Sequence, residues 1–478
     1  MQKIIKTSLL LPIFVLSICF SATNSLAATQ KLPNSVQNAL SKNKISSKQL
    51  AVSVRPLDGG KLSLNWQADK KVLPASTEKI ITTLAALETL GPNWRWKTEY
   101  LSQNTLEKGT LEGPLYIRGG GDPTYVIENL WRDLSVLKTK GLKKINGDIV
   151  IDRSYFLTDK SSVSFGSDIQ RPYMKEADAA LLNYQAVTFD IEPDLENGIA
   201  RITTTPALKG LSAPATVKLT NTPKQCIAWR QALDLNLDNE WKPTFKGGFP
   251  QSCPPKKLSY IINDPQKYWE ALLTPLFQEV GITWKGQVIE GKVPENANSL
   301  YTAYSEDLVH ISRLTNKYSN NVLARHIYLT LGLKANGASE AADYVMARSA
   351  LQTWLTQQVK VKPGKVFVDN GSGLSRDSYV TARAMNQIIA YGWRSPRMPE
   401  WVATFPVSAT DGTMRKRKVA PGNAYIKTGL LNGVKSAAGV IQAKSGRRYA
   451  FFGVVEGQRA TSTDAPLDAV IQWVYLRG

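Results

Sequence analysis

Three short stretches carry residue types that could perform acyl transfer. Ser76-Thr77-Glu78-Lys79 sets a hydroxyl and an amine three positions apart. On a helix that spacing puts both on one face, one turn apart. A serine hydroxyl is a weak nucleophile until a base takes its proton. A lysine is such a base when desolvation or a neighbouring cation lowers its pKa from about 10.4. Ser41–Lys44 and Ser135–Lys138 repeat the spacing, but Ser41 lies in a polar stretch and Ser135 inside a predicted helix. Only Ser76 heads a predicted helix, where backbone N–H groups and the dipole favour a developing anion. An N-cap serine would look the same. Ser319-Asn320-Asn321 offers a hydroxyl and an amide between two predicted helices, a place where turns also favour Ser and Asn. Lys427-Thr428-Gly429 offers a cation, a hydroxyl and a residue without Cβ on a predicted strand. It suits a peptide backbone ending in a carboxylate, or a strand end with a glycine bulge.

The elements that must position these groups come from both ends of the chain. Gln49–Pro56 and Leu62–Gln67 alternate as a hairpin around Asp58-Gly59-Gly60. Thr77–Leu90 has helical periodicity and stops at Gly91-Pro92. Trp96–Leu101, Leu115–Arg118 and Asp148–Asp152 read as strands, with a helix near Glu128–Thr139. Residues 180–257 change character: short alternating runs (Ala186–Ile191, Ala200–Thr204, Thr216–Thr220) stand among many Pro, Thr and Asn. A helix near Asp264–Val280 and a strand near Thr283–Glu290 follow. From about residue 300 the pattern turns helical over Asp307–Lys317, Val322–Leu333 and Ser339–Val359. Strands resume at Ala424–Lys427, Lys435–Ala443 and Arg448–Val455, and a helix near Pro466–Tyr475 closes the chain. This order suggests one domain split by a long insertion.

Composition narrows the class. The 478 residues are 43% apolar and 21% charged, which excludes a disordered or fibrous chain. Two histidines, His310 and His326, leave little material for a Ser-His-Asp triad or a multi-histidine metal site. The formal charge of +20 attracts anionic partners. Met1–Lys6 is a short positive segment, Ser8–Phe20 is apolar but short for a bilayer span, and Ser25-Leu26-Ala27-Ala28 offers a cleavage site. Residues 1–27 therefore read as a secretory signal peptide, with an uncleaved anchor as the alternative. Export places the chain in the periplasm and argues against nucleic acid as partner. Cys19 leaves with the signal, so Cys226 and Cys253 form an even pair in an exported protein. That favours a disulfide over two free buried thiols. The run Met414-Arg415-Lys416-Arg417-Lys418 reads as a solvated loop; attraction to acidic wall strands, or peripheral association with anionic lipid, is the alternative.

S-x-x-K, S-x-N and K-T-G in this order resemble the active-site serine penicillin-recognising enzymes. Gly119-Gly120-Gly121-Asp122-Pro123, the run Asp369-Asn370-Gly371-Ser372-Gly373-Leu374-Ser375-Arg376, and Phe405-Pro406-Val407-Ser408 followed by Asp411-Gly412-Thr413 narrow this further. They resemble the D-alanyl-D-alanine carboxypeptidase/endopeptidase family of penicillin-binding protein 4. The 243 positions between Ser76 and Ser319 (319 − 76) match that family's long insertion. The resemblance spans essentially the whole mature chain.

It implies an α/β multidomain fold: a transpeptidase/β-lactamase-like catalytic domain, a sheet between helical layers, from residues 28–95 and 298–478. An inserted domain would take 96–178 and 258–297, and a nested β-rich domain 179–257. Ser76 would be the nucleophile and Lys79 its base. Ser319 and Asn321 would relay a proton and anchor the substrate amide. Lys427, Thr428 and Gly429 would seat the substrate's carboxylate end, and the N–H groups of Ser76 and Leu430 would form an oxyanion hole. The family usually has Ser or Thr where Leu430 stands, so a hydroxyl contact is lost. Asp152 and Arg376 would read the zwitterionic side chain of meso-diaminopimelate, because a carboxylate and a guanidinium complement its two charges. Peptidoglycan peptides and β-lactam antibiotics are the implied partners, and no cofactor is implied. Two other readings compete. A β-lactamase would usually be shorter, and a non-catalytic wall-binding protein would not need Ser76, Lys79, Ser319, Asn321 and Lys427 intact.

Overall fold

The computed structural model describes residues 31–157, 171–221, 225–335, 337 and 341–478. The signal-peptide reading of residues 1–27 lies outside them. The strands Leu64–Trp66, Leu50–Pro56, Arg448–Glu456, Val434–Gln442 and Ala424–Leu431 form, in that order, an antiparallel sheet. Successive strand residues face opposite ways, and here both faces are covered. Val434, Ala438, Val440, Phe452 and Val454 face the helix Ala382–Arg394, which lies on this sheet, and share one core with the helices Lys79–Thr89, Leu308–Lys317 and Asn321–Ala335. Ala437, Ile441, Phe451 and Val455 pack against the helices Asn34–Lys42 and Ala465–Arg477. The Asn321–Ala335 helix is buried on every side through Leu333, as its nearly continuous apolar sequence requires.

Between these halves lies a second sheet, ordered Val288–Glu290, Ile149–Asp152, Leu115–Gly119, Lys97–Ser102 and Asn298–Tyr304. Its first three strands run parallel and the others antiparallel. The Ile127–Thr139 helix is the crossover between Leu115–Gly119 and Ile149–Asp152. Two expectations change here. The single strand expected over Thr283–Glu290 is two, Thr283–Lys285 and Val288–Glu290, in different sheets. The switch falls at Gly286, where a Cβ would stand 2.2 Å from the Gly147 carbonyl oxygen, so the backbones cross in contact. Asn298–Tyr304, expected in the catalytic domain, pairs with Lys97–Ser102 instead. Its Tyr301 stacks on Tyr100 at 5.9 Å, and the helical region starts at Leu308, capped by the Asp307 carboxylate accepting from the His310 amide at 2.8 Å.

The nested sheet orders Phe249–Pro250, Thr216–Thr220, Ile199–Thr205, Ala186–Asp194 and Lys256–Ile261, so it ends at Ile261 rather than at 257. Its Val187, Phe189 and Tyr260 share one core with Tyr268, Trp269 and Leu272 of the helix Pro265–Val280. Cys226 and Cys253 are disulfide-bonded, Cα to Cα 5.1 Å. The two cysteines stand 27 positions apart, and closing a loop of that size contributes about 3.5 kcal/mol in the chain-entropy model. Among the described residues no helix is long and apolar enough to cross a membrane.

Candidate active site

The nucleophile candidate sits in a single 3-10 turn, Ala75–Glu78, that runs directly into the Lys79–Thr89 helix. Ala75 enters it at φ +47°, in the left-handed region. Ser76 is half-buried and Lys79 fully buried. Lys79 Nζ lies 2.9 Å from Ser76 Oγ and 2.7 Å from Asn321 Oδ1, and it also donates to the Ser372 carbonyl. An ammonium would donate to all three. A neutral amine donates to two and turns its lone pair on the third. Burial, then the Lys427 charge and more weakly Arg325, hold this amine well below the usual lysine range, with Glu78 opposing. The neutral form is therefore accessible, and it can take the Ser76 proton.

The second pair mirrors the first. Lys427 Nζ donates to Ser319 Oγ at 2.9 Å and to the Thr428 carbonyl at 2.6 Å. Burial brings Lys427 down to about 7. Ser319 takes φ +60° in the turn between two helices, a conformation that L-residues adopt at some cost and that concentrates at functional sites. Asn320 Oδ1 caps the following helix by accepting from the Val322 and Leu323 amides. The K-T-G strand lies against the nucleophile's backbone. A Cβ on Gly429 would stand 3.0 Å from Ser76 N and from the Pro74 oxygen, and 2.2 Å from Ser436 Oγ. Only glycine lets the strand approach the Ser76 backbone this closely. The Leu430 side chain itself is 60% exposed.

The five groups expected to carry the chemistry therefore fall into two hydrogen-bonded sets, Ser76–Lys79–Asn321 and Ser319–Lys427, with the K-T-G strand against the Ser76 backbone. The family model of the D-Ala-D-Ala carboxypeptidase 3 (S13) family matches residues 32–476. The chain belongs to that family. It is 25% identical to the D-alanyl-D-alanine carboxypeptidase DacB of Haemophilus influenzae over 96% of this chain and 94% of that one. It is 26% identical to a D-alanyl-D-alanine carboxypeptidase of Actinomadura sp. strain R39, over 84% of this chain and 76% of that one. The crystal structure of penicillin-binding protein 4 from Haemophilus influenzae superposes with a TM-score of 0.78 at 23% identity, covering 93% of this chain and 99% of that one. That likeness establishes the expected α/β multidomain fold.

Other supports of this S13 site could not be read from residue types, because backbone atoms supply them. The loop 370–374 wraps the Lys79 helix. Ser372 O faces Lys79, Gly371 O accepts from Thr82 Oγ1 at 2.7 Å, and the Gly373 amide donates to Glu78 Oε1 at 3.1 Å. Gly373, at φ +75°, would otherwise put a Cβ 1.9 Å from Ala75 O. Burial raises the Glu78 carboxyl to about 7. Its signal was the Gly-Ser-Gly of residues 371–373, singled out in the sequence without a role. The insertion grips the same site. Asn321 Nδ2 donates to Tyr173 O at 3.4 Å, which turns Oδ1 toward Lys79. One helical turn on, the buried Arg325 donates to Lys175 O at 2.8 Å. The buried His326 bonds Gly121 O at 2.9 Å through Nδ1. Helix spacing from Asn321 marks Arg325 and His326 as neighbours, but not what they face.

Three expectations find other surroundings. Asp152 is 3% exposed, and its two oxygens accept from the Ser154 and Val293 amides at 2.9 and 2.8 Å. It caps a turn beside an 880 Å³ cavity. Arg376 is exposed and donates to Asn432 O at 2.7 Å. Among the described residues no hydrogen bond or ion pair joins the two, and Asp152 lines that cavity. In the basic run, Arg417 Nε donates to Asp468 at 3.0 Å and Nη1 pairs with Asp464 at 3.6 Å. Only Arg415, Lys416 and Lys418 of that run are exposed. Ser41 and Ser135 lie within the helices Asn34–Lys42 and Ile127–Thr139, away from any paired lysine amine.

Proposed function

We propose that this S13 peptidase is a periplasmic D,D-peptidase of peptidoglycan. It would remove terminal D-Ala from stem peptides and cleave D-Ala–diaminopimelate cross-links through a Ser76 acyl-enzyme, and penicillins would acylate the same serine. The buried Lys79 amine, held between Ser76 Oγ and Asn321 Oδ1, carries this reading. Lys79 takes the hydroxyl proton as Ser76 Oγ attacks the penultimate D-Ala carbonyl. The N–H groups of Ser76 and Leu430 receive the oxyanion. Ser319 passes its proton to the departing amine and is resupplied by Lys427. Lys427 and Thr428 hold the leaving residue's carboxylate, and water then releases the acyl group. Arg376, exposed near the end of the K-T-G strand, would meet the carboxylate of a diaminopimelate side chain. A formal charge of +20 favours residence on an acidic wall polymer.

The relatives' names support the carboxypeptidase arm. The test is chromatography of muropeptides after incubation with the mature protein. Loss of one D-Ala from a pentapeptide, and splitting of a cross-linked dimer, are expected. An untouched pentapeptide refutes the proposal, and an untouched dimer removes its endopeptidase arm.

A further inference from the structure

The Asp411-Gly412-Thr413 turn has no part in the mechanism above, yet it sits on the K-T-G strand. Thr428 Oγ1 donates to Thr413 Oγ1 at 2.7 Å. Each threonine hydroxyl has one proton and two acceptor positions. A pair joined by one hydrogen bond keeps one proton, that of Thr413, unspent and exposed to solvent. We infer that Thr413 is a substrate-binding residue whose hydroxyl, coupled to Thr428, completes the seat for the free C-terminal carboxylate of the peptide. This rests on the proposed roles of Lys427 and Thr428.

The turn is built to hold that hydroxyl in place. Asp411 Oδ1 accepts from the Val407 amide at 2.9 Å, and its other oxygen pairs with Lys317 Nζ. Lys317, 5% exposed, also donates to Phe405 O at 2.8 Å. Gly412 takes φ +53°, and a Cβ there would stand 2.5 Å from Lys317 O. Met414, next in the chain, is fully buried. Lys317 ends the helix that precedes Ser319. One partly buried ion pair thus fixes two hydroxyls, Ser319 against Lys427 Nζ and Thr413 against Thr428. An anion arriving there meets one ammonium and three hydroxyls. Leu430 on the same strand supplies none, so Thr413 fills a need the K-T-G segment leaves open.

The test uses the mature protein with Thr413→Val, which keeps shape and removes the hydroxyl, and Thr413→Ser, which restores it. Steady-state kinetics are measured on a peptide ending in D-Ala-D-Ala carboxylate and on the same peptide as its C-terminal amide. A hydrogen bond to a charged group corresponds to a loss of about tenfold to a hundredfold. The valine variant should lose that in kcat/KM on the carboxylate peptide, mainly through KM, and stay within about twofold on the amide. The serine variant should recover most of the loss. Wild-type turnover reports on the proposed function, and the ratio between the two peptides reports on Thr413. A valine variant equal to wild type on the carboxylate peptide, or weakened equally on both, overturns the inference.

Discussion

Gly429→Ala separates the spacing of the oxyanion hole from the stability of the fold. The new Cβ would stand 2.2 Å from Ser436 Oγ and 3.0 Å from both Ser76 N and Pro74 O. The first contact can be relieved if Ser436 rotates, but its hydroxyl donates to Pro74 O at 2.6 Å and would give up that bond. The other two contacts are with backbone and can be relieved only by moving the strand away from Ser76. Overpacking of this kind costs about 1–3 kcal/mol. A strand that retreats by a few tenths of an ångström misplaces one of the two proposed oxyanion donors, and losing one donor costs about 10²–10³ in rate. The assay pairs thermal unfolding with the rate of penicillin acylation read by intact mass. Gly429→Ala should lower both. Adding Ser436→Ala removes the 2.2 Å clash but leaves the contacts with Ser76 and Pro74. The double variant should therefore recover only the part of the stability lost to the Ser436 clash and keep the acylation defect. Acylation at the wild-type rate in Gly429→Ala, or recovery of both properties in the double variant, would refute the argument.

Lys79→Met should abolish acylation, because it removes the buried amine held against Ser76 Oγ; intact mass showing an adduct formed at the wild-type rate would contradict this. His326 titrates at about 4 in the fold against 6.5 unfolded, because it is buried. Its contribution is complete above pH 6.5 and is lost as pH falls toward 4. At about 1.4 kcal/mol per pH unit the total is about 3 kcal/mol. Denaturant unfolding between pH 7 and 4 should show a shallower acid loss in His326→Gln, and an unchanged slope would sink the assignment. Asp152→Ala should lower stability by about 1–3 kcal/mol, since the Ser154 and Val293 amides lose their acceptor. Penicillin acylation and cleavage of diaminopimelate peptides should then fall together. A selective loss of peptide cleavage would contradict this and mark Asp152 as a reader of the substrate.

What could be read in advance follows from where the chemistry resides. The proposed roles of Ser76, Lys79, Ser319, Asn321 and Lys427 belong to side chains, so residue type and order exposed them, and the structure holds them in two sets through bonds of 2.7 to 2.9 Å. The catalytic strands carried long apolar runs because both their faces are buried. Ser372 acts through its carbonyl, and the Tyr173 carbonyl orients Asn321; no side-chain pattern reports such contacts. Asn298–Tyr304 is polar and exposed at its start, and only its partner Lys97–Ser102 makes it a strand. The helix Ala382–Arg394 was overlooked although its signals were present. Thr381 caps it, accepting from the Ala384 amide, and its buried positions recur at helical spacing. Asp152 was legible only in part: its place at a strand end follows from the sequence, whereas the two backbone amides that it accepts from do not.

The central claim is that Ser76 is the acylated residue and Lys79 its base. Intact-mass and peptide-mapping analysis of the mature protein after exposure to benzylpenicillin tests it most directly. The account predicts one stoichiometric adduct, mapped to the peptide containing Ser76, persisting on the scale of the assay and absent from Ser76→Ala. A stoichiometric adduct on the Ser76→Ala protein, or one mapped to the peptide of Ser41 or Ser135, would contradict it.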